Sequence, residues 1–157
     1  MTKPLIVAVD PGQSGAIVWT QDFVDIQIEK MPPNDVEVAQ LMASFHVLAK
    51  DVVIYLEEPS TAGYGPLIPA SSIARLAQNF GLIYGASIAM GYSLHRTKPQ
   101  AWQAAHGLGK KKDHGKGWKN HLKSKALELY PNLAFDVTLV NADALLILDA
   151  ARRGAIN

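Results

Sequence analysis

The chain has 157 residues, 48% hydrophobic and 18% charged, which suits a single domain that buries roughly 70% of its unfolded surface. No apolar run approaches the ~20 residues that span a membrane, and the absence of cysteine excludes disulfides and thiolate-held metals. The net charge of +1 conceals a segregation: from His95 to Lys125, nine Lys and Arg and four of the five histidines face one acid, Asp113, so this window carries +8 and the remainder −7. Such a division provides a basic face for a polyanion.

In chain order, "PLIVAVD" (4–10) reads as a buried strand entered directly from the N-terminus, without signal-peptide architecture. A reducing cytosol is the expected compartment. "SGAIVWT" (14–20) and "FVDIQIEK" (23–30) follow as strands, the second alternating with period two as a half-buried antiparallel strand does, with a hairpin turn at Gln21-Asp22. A helix begins at Asp35, with Val38, Leu41, Met42, Phe45 and Leu48 on one face. "DVVIYLEEP" (51–59) is a second buried strand, and residues 60–70, rich in Gly and Pro, form a loop. A largely apolar helix runs from Ser71 to about Met90, carrying Ile73, Leu76, Phe80, Ile83 and Tyr84, with small residues Gly81, Gly85, Ala86 and Ala89 that permit close helix contact. Then come a short strand (91–97), a short helix (98–107), a basic loop (108–117), a helix from Trp118 to Tyr130, an irregular stretch (131–140) and a terminal helix from Asn141.

Three strands, helix, strand, helix, strand and then helices predict an α/β domain over residues 1–157, with a mixed sheet covered by helices. The five strands, three antiparallel and two parallel, have the arrangement of the ribonuclease H-like fold. If the first and fourth strands are parallel neighbours, Asp10 and Glu57 at their C-terminal ends lie roughly 5 Å apart, at the edge where ligands of open α/β sheets bind. Of the adjacent pair Glu57 and Glu58, only one can face Asp10, and Glu57 is the expected one. Asp143, near the start of the last helix, is the third acid. Each has a plainer reading: Asp10 as turn chemistry before Pro11-Gly12, the glutamates as a strand end, and Asp143 as a helix N-terminal acid. Together they suggest an oxygen-only site for Mg²⁺ or Mn²⁺. Two such ions about 4 Å apart can activate water and stabilise a leaving oxygen in phosphodiester cleavage.

"VAVDPGQSGAIVW", "YLEEP", "TKPQAWQ", the lysine-rich loop, "KSKALELYPN" and "NADALLIL" resemble, in that order and over nearly the whole chain, the RuvC-like Holliday-junction resolvases, particularly the compact phage-type members. The resemblance implies a homodimer that binds four-way DNA junctions and nicks opposing strands symmetrically with Mg²⁺ or Mn²⁺, in a bacterial or phage-infected cell. It makes Asp10, Glu57 and Asp143 metal ligands and places Lys119, or Lys116 beside it, near the scissile phosphate; Lys98 falls near another such lysine. One position departs from the pattern. Where the family has a second acid or a histidine three or four residues before Asp143, this chain has Val140 and Leu139. Asp136 is seven residues away and could reach the site only if the preceding loop folds back; Asp149, six away, points about 240° round the helix. One tightly and one weakly bound ion, or junction binding with impaired cleavage, are both compatible with that departure.

Lys98, Lys110, Lys111, Lys112, Lys116, Lys119, Lys123 and Lys125 form the expected phosphate-binding surface, with Lys119 and Lys123 one helical turn apart. Trp102 and Trp118 read as core or hinge residues rather than stacking platforms. Tyr64, in the loop after Glu57, is a candidate wedge or stacking group at a junction. The helix 71–90 reads equally as a dimer face or a buried core helix. Alternatives to a junction-resolving endonuclease are a non-catalytic branched-DNA-binding protein and an actin- or sugar-kinase-like ATPase fragment, whose phosphate loop also joins an aspartate to a glycine turn.

Overall fold

Six consecutive residues, Leu5–Asp10, alternate between the two faces of a sheet: Leu5, Val7 and Val9 enter one core, while Ile6 and Ala8 enter the other. The computed structural model describes residues 3–60 and 68–157. Its strands are β1 (Leu5–Asp10), β2 (Ala16–Thr20), β3 (Gln27–Lys30), β4 (Val52–Glu57) and β5 (Ser93–Thr97). They form one sheet in the order β3-β2-β1-β4-β5, antiparallel from β3 to β1 and parallel from β1 to β5, as the element order predicts. Helices α1 (Asp35–Leu48) and α2 (Ala70–Ala89) pack on one face; α3 (Pro99–Ala105), α5 (Trp118–Leu129) and α6 (Ala142–Arg152) pack on the other, with the short α4 (Lys111–His114) leading into α5. No helix among the described residues is long and apolar enough to cross a membrane.

α1 starts where Asn34 caps it, its Oδ1 accepting from the Glu37 amide at 3.0 Å while Glu37 Oε1 accepts from Asn34 Nδ2 at 2.7 Å. Val38, Met42 and Phe45 are its buried stripe; Leu48, placed on that stripe by spacing, is half exposed because the helix ends there. α6 is buried from Ala142 through Ala150, which makes it the central helix of its layer.

The structure trims β2 to Ala16–Thr20, β5 to Ser93–Thr97 and α3 to Pro99–Ala105, and it corrects other elements more substantially. β3 begins at Gln27, not Phe23, and is mostly exposed rather than half-buried. Residues 21–26 instead wind around two side chains: Asp22 Oδ1 accepts from the amides of Val24 and Asp25, each at 2.9 Å, and the Thr20 hydroxyl donates to the Asp25 carbonyl at 2.6 Å. Local side-chain bonds of this kind replace the strand ladder. The basic loop 108–117 is largely structured, as α4 and a 3₁₀ turn at Gly115–Gly117. α2 begins at Ala70, and α6 stops at Arg152, followed by Gly154 at φ +63°. α2 is not a core helix: Asn79, Ile83 and Ser87 are buried, whereas Ala74, Ala77, Gly81, Gly85, Ile88 and Ala89 are exposed.

Candidate functional site

The β1–β4 pairing runs in register from Leu5–Val52 to Val9–Leu56, so Asp10 and Glu57 are the next pair along two central parallel strands. Alternation sends both to the α3–α5–α6 face, as the continuation of Ile6 and Ala8 on one strand and of Tyr55 on the other. Glu58 points the opposite way and meets Arg96 at 3.3 Å. Asp143, in the first turn of α6, approaches from across that face and is 8% exposed.

The turn after Asp10 is wound closely about its carboxylate. The Gly12 amide donates to Asp10 Oδ1 at 3.0 Å, and the Gly15 amide donates to the Gly12 carbonyl at 2.9 Å. A Cβ on Gly15 would stand 2.2 Å from the Asp10 carbonyl oxygen and 2.9 Å from its carboxyl carbon, so only glycine fits there. From α2, the fully buried Asn79 Nδ2 donates to the Pro11 carbonyl at 3.0 Å and leaves its Oδ1 unpartnered. Asn79 stands one helical turn before Ile83, on the buried side of α2, and a polar residue on that apolar side is the sequence signal for this contact.

Two further side chains reach the acids. Lys119 Nζ, from the first turn of α5, donates to both oxygens of Asp143, at 2.9 and 2.8 Å, with its side chain 50% exposed. Trp102 Nε1, from α3, donates to Glu57 Oε2 at 2.6 Å. Trp102 is fully buried and Trp118 is 5% exposed, so both belong to the core as expected, but the bond from Trp102 to Glu57 joins residues 45 apart and has no signal in the sequence. Thr97, in register with Glu57 on β5, is buried with its hydroxyl unpartnered.

Charge in the cluster is unbalanced. Burial, then the charge of Asp10, pushes the Glu57 carboxyl up to about 8, against the Trp102 bond and Lys119. Burial, then Asp143, raises Asp10 to about 6, opposed by the Gly12 amide and Lys119. Burial opposes the charge of Lys119, but contact with Asp143, with Asp10 and Glu57 beyond, outweighs it and holds the ammonium above its usual range. Three carboxylates with one ammonium still want positive charge. Their donor set, oxygen only, fits a hard divalent ion. Among the described residues, no three His, Asp or Glu side chains stand close enough to form a ready-made metal centre, and Asp143 has both oxygens on Lys119.

Neither alternative fourth acid joins this cluster. Asp136 is exposed, and its carbonyl accepts from Asn141 Nδ2 at 2.8 Å. Asp149 is buried at the far end of α6, where it accepts from Arg152 at 2.6 and 3.1 Å and from Arg153 at 2.8 Å. Leu139 is 44% exposed and Val140 half-buried. Beside Asp149, His106 is kept neutral because burial lowers its pKa. Arg153 donates to its Nδ1 at 2.9 Å, so the proton sits on Nε2, which donates to the Leu146 carbonyl at 2.7 Å.

A cleft of about 340 Å³ leads to the acids, lined by Glu57, Asp143 and Lys119 together with Trp102, Trp118 and Lys111. Lys110, Lys112 and Lys116 are exposed around α4, and Lys123 is half-exposed one turn along α5 from Lys119. Lys125 is engaged with Glu128 at 2.8 Å. Lys98 stands apart, in a separate cleft with Glu58, Arg96 and Thr97. Tyr64 lies outside the described residues.

Two solved structures of RuvC from Thermus thermophilus share this fold. One, RuvC in complex with a Holliday junction substrate, is 14% identical with a TM-score of 0.61; the other is 15% identical with a TM-score of 0.53; each match covers 98% of both chains. No protein-family model and no curated protein matches the sequence.

Proposed function

We propose that the protein is a metal-dependent, structure-selective DNA endonuclease that resolves four-way junctions by paired symmetric nicks, as part of DNA recombination or repair. The observation that carries this reading is the meeting of Asp10 and Glu57 on adjacent parallel strands, with Asp143 opposite, beside a cleft lined by Glu57, Asp143, Lys119 and Lys111. The neighbouring fold supports the substrate, since one of its solved examples holds a Holliday junction.

Asp10, Glu57 and Asp143 would hold Mg²⁺ or Mn²⁺. A bound ion of this kind supplies a nucleophilic water at neutral pH and stabilises the leaving oxygen. The Pro11-Gly12 turn ends β1 abruptly and closes over the Asp10 carboxylate, which lies behind Glu57 and Asp143 rather than on the cleft wall. Lys119, half exposed, is long enough to serve either Asp143 or a phosphate oxygen entering the cleft. Lys110, Lys111, Lys112, Lys116 and Lys123 would fix the DNA by its backbone without reading sequence, with Lys98 contacting it further out. A second copy of the chain would pack on the small-residue face of α2 and bring two such sites to one junction.

The test is a labelled four-way junction and a matched linear duplex incubated with the protein and Mn²⁺. Paired symmetric nicks in the junction alone are the expected result. Equal cutting of both would indicate an unselective nuclease. Tight binding without any cutting would favour the non-catalytic reading suggested by Leu139 and Val140.

A further inference from the structure

Glu57 has a partner from outside both the acidic cluster and the basic residues: the indole of Trp102. That indole cannot follow the carboxylate if it turns. Trp102 is fully enclosed in the core with Leu108, Trp118 and Leu122, and α3 is tied to α6 on its other side. There Arg153 donates to the Ala105 carbonyl at 3.1 Å, and His106 donates to the Leu146 carbonyl. An indole has one N–H and no acceptor, so this bond has a single sense and is strengthened by charge on the carboxylate. It holds Oε2. Among the described residues no hydrogen bond reaches Oε1.

We propose, resting on the metal reading above, that Trp102 is a positioning residue that restricts Glu57 to ligating a cation through Oε1 and thereby biases the site toward Mg²⁺ and Mn²⁺ over Ca²⁺. Ca²⁺ accepts six to eight oxygens and commonly takes both oxygens of a carboxylate, whereas Mg²⁺ demands compact octahedral geometry with one oxygen per carboxylate. A carboxylate free to turn can chelate the larger ion. One pinned at Oε2 must break a short charge-assisted bond to do so. Partners that orient a ligand in this way contribute substantially to metal affinity.

The experiment titrates Mn²⁺ and Ca²⁺ separately into the full chain by calorimetry, for the wild type, Trp102→Phe and Asp10→Asn. Trp102→Phe is expected to lower Mn²⁺ affinity about tenfold, the low end of the range for such partners. Ca²⁺ affinity should change less, so the preference for Mn²⁺ narrows. An unchanged Mn²⁺-to-Ca²⁺ ratio in Trp102→Phe, with Mn²⁺ binding lost in Asp10→Asn, overturns the role of Trp102 alone. Undiminished Mn²⁺ binding in Asp10→Asn overturns the metal reading itself, and this proposal with it. Since phenylalanine leaves part of the indole volume empty, a second measurement uses Glu57→Gln, which keeps the core intact. In metal-free protein at pH 9, where Glu57 is ionised, its Trp102 indole ¹H–¹⁵N resonance should move upfield from the wild-type position, while that of Trp19 stays. An unmoved Trp102 resonance overturns the bond on which the proposal stands.

Discussion

Asp10 and Glu57 face one another with, among the described residues, Lys119 alone to offset them and Asp143, and their protons report it. Glu57 holds its proton to about pH 8 in the fold but only to 4.5 unfolded, and Asp10 to about 6 against 3.8. A carboxyl whose pKa is raised by folding contributes stability in full below its unfolded pKa and loses it as pH rises through the folded one. The metal-free protein should therefore melt at a lower temperature at pH 8 than at pH 6.5, and Glu57→Gln should remove most of the difference. Calorimetry in chelator checks this, and staying above pH 6.5 avoids charging His106, whose lowered pKa makes the fold lose stability below that point. Asp10→Asn should abolish junction nicking while leaving binding within about threefold, as a gel-shift and cleavage assay would show, because the lysines proposed to hold the phosphates lie mainly elsewhere. Much of this was legible in the sequence. Alternation alone puts Asp10 and Glu57 on one face and turns Glu58 away. What alternation cannot deliver is the partner from a distant segment, as with Trp102 at 45 residues' separation or Asn79 bonding Pro11 at 68. The Lys119–Asp143 pair joins two helices, and only the family resemblance pointed to that lysine.

At the scale of elements, strands β1 and β4 are readable as short apolar runs that end in an acid, and helix α1 by its three- and four-residue apolar spacing from a start at Asp35. The alternation over 23–30 predicts more strand than forms, because Asp22 and Thr20 satisfy the backbone that a ladder would otherwise use. The burial of α2 could not be decided from composition, since an apolar helix reads the same buried or facing a partner. α3 and α6 are joined at their C-terminal ends by the Asp149 network, which seats the helix that carries Trp102. Asp149→Asn should destabilise the protein by about 2 kcal/mol, less than the loss expected for a fully buried pair because the guanidiniums reach solvent. Urea unfolding measures it.

Over the whole molecule, the charge division, +8 in the window from His95 to Lys125 and −7 elsewhere, was plain in the sequence before any fold, and it is the feature on which the proposed DNA binding can be tested. Replacing Lys110 and Lys112, both exposed, by alanine should reduce the slope of log K for junction binding against log salt by about 1.8, without moving the cleavage positions. Salt-titrated gel shifts would show it. The open face of α2 invites a matching test of assembly. Among the described residues nothing stands within 4 Å of a Cβ on Gly85, so Gly85→Arg should be accommodated by the single subunit. Sedimentation should then give a dimer for the wild type and a monomer for the variant.

The central pairing of the sheet also sets an order of events. β1 meets β2 through a tight turn, with Asp10 opposite Ala16, but each β1 residue meets its β4 partner across 47 residues, as Leu5 does Val52. Closing so long a loop is slow, and non-local strand pairing dominates folding time. A chain that closes the β1–β2 hairpin first would hold Asp10 in water, ionised and without Glu57 beside it. Only when the crossover through α1 seats β4 does Glu57 arrive beside it and the repulsion begin. The nascent chain thus passes its slowest step before its least favourable contact exists.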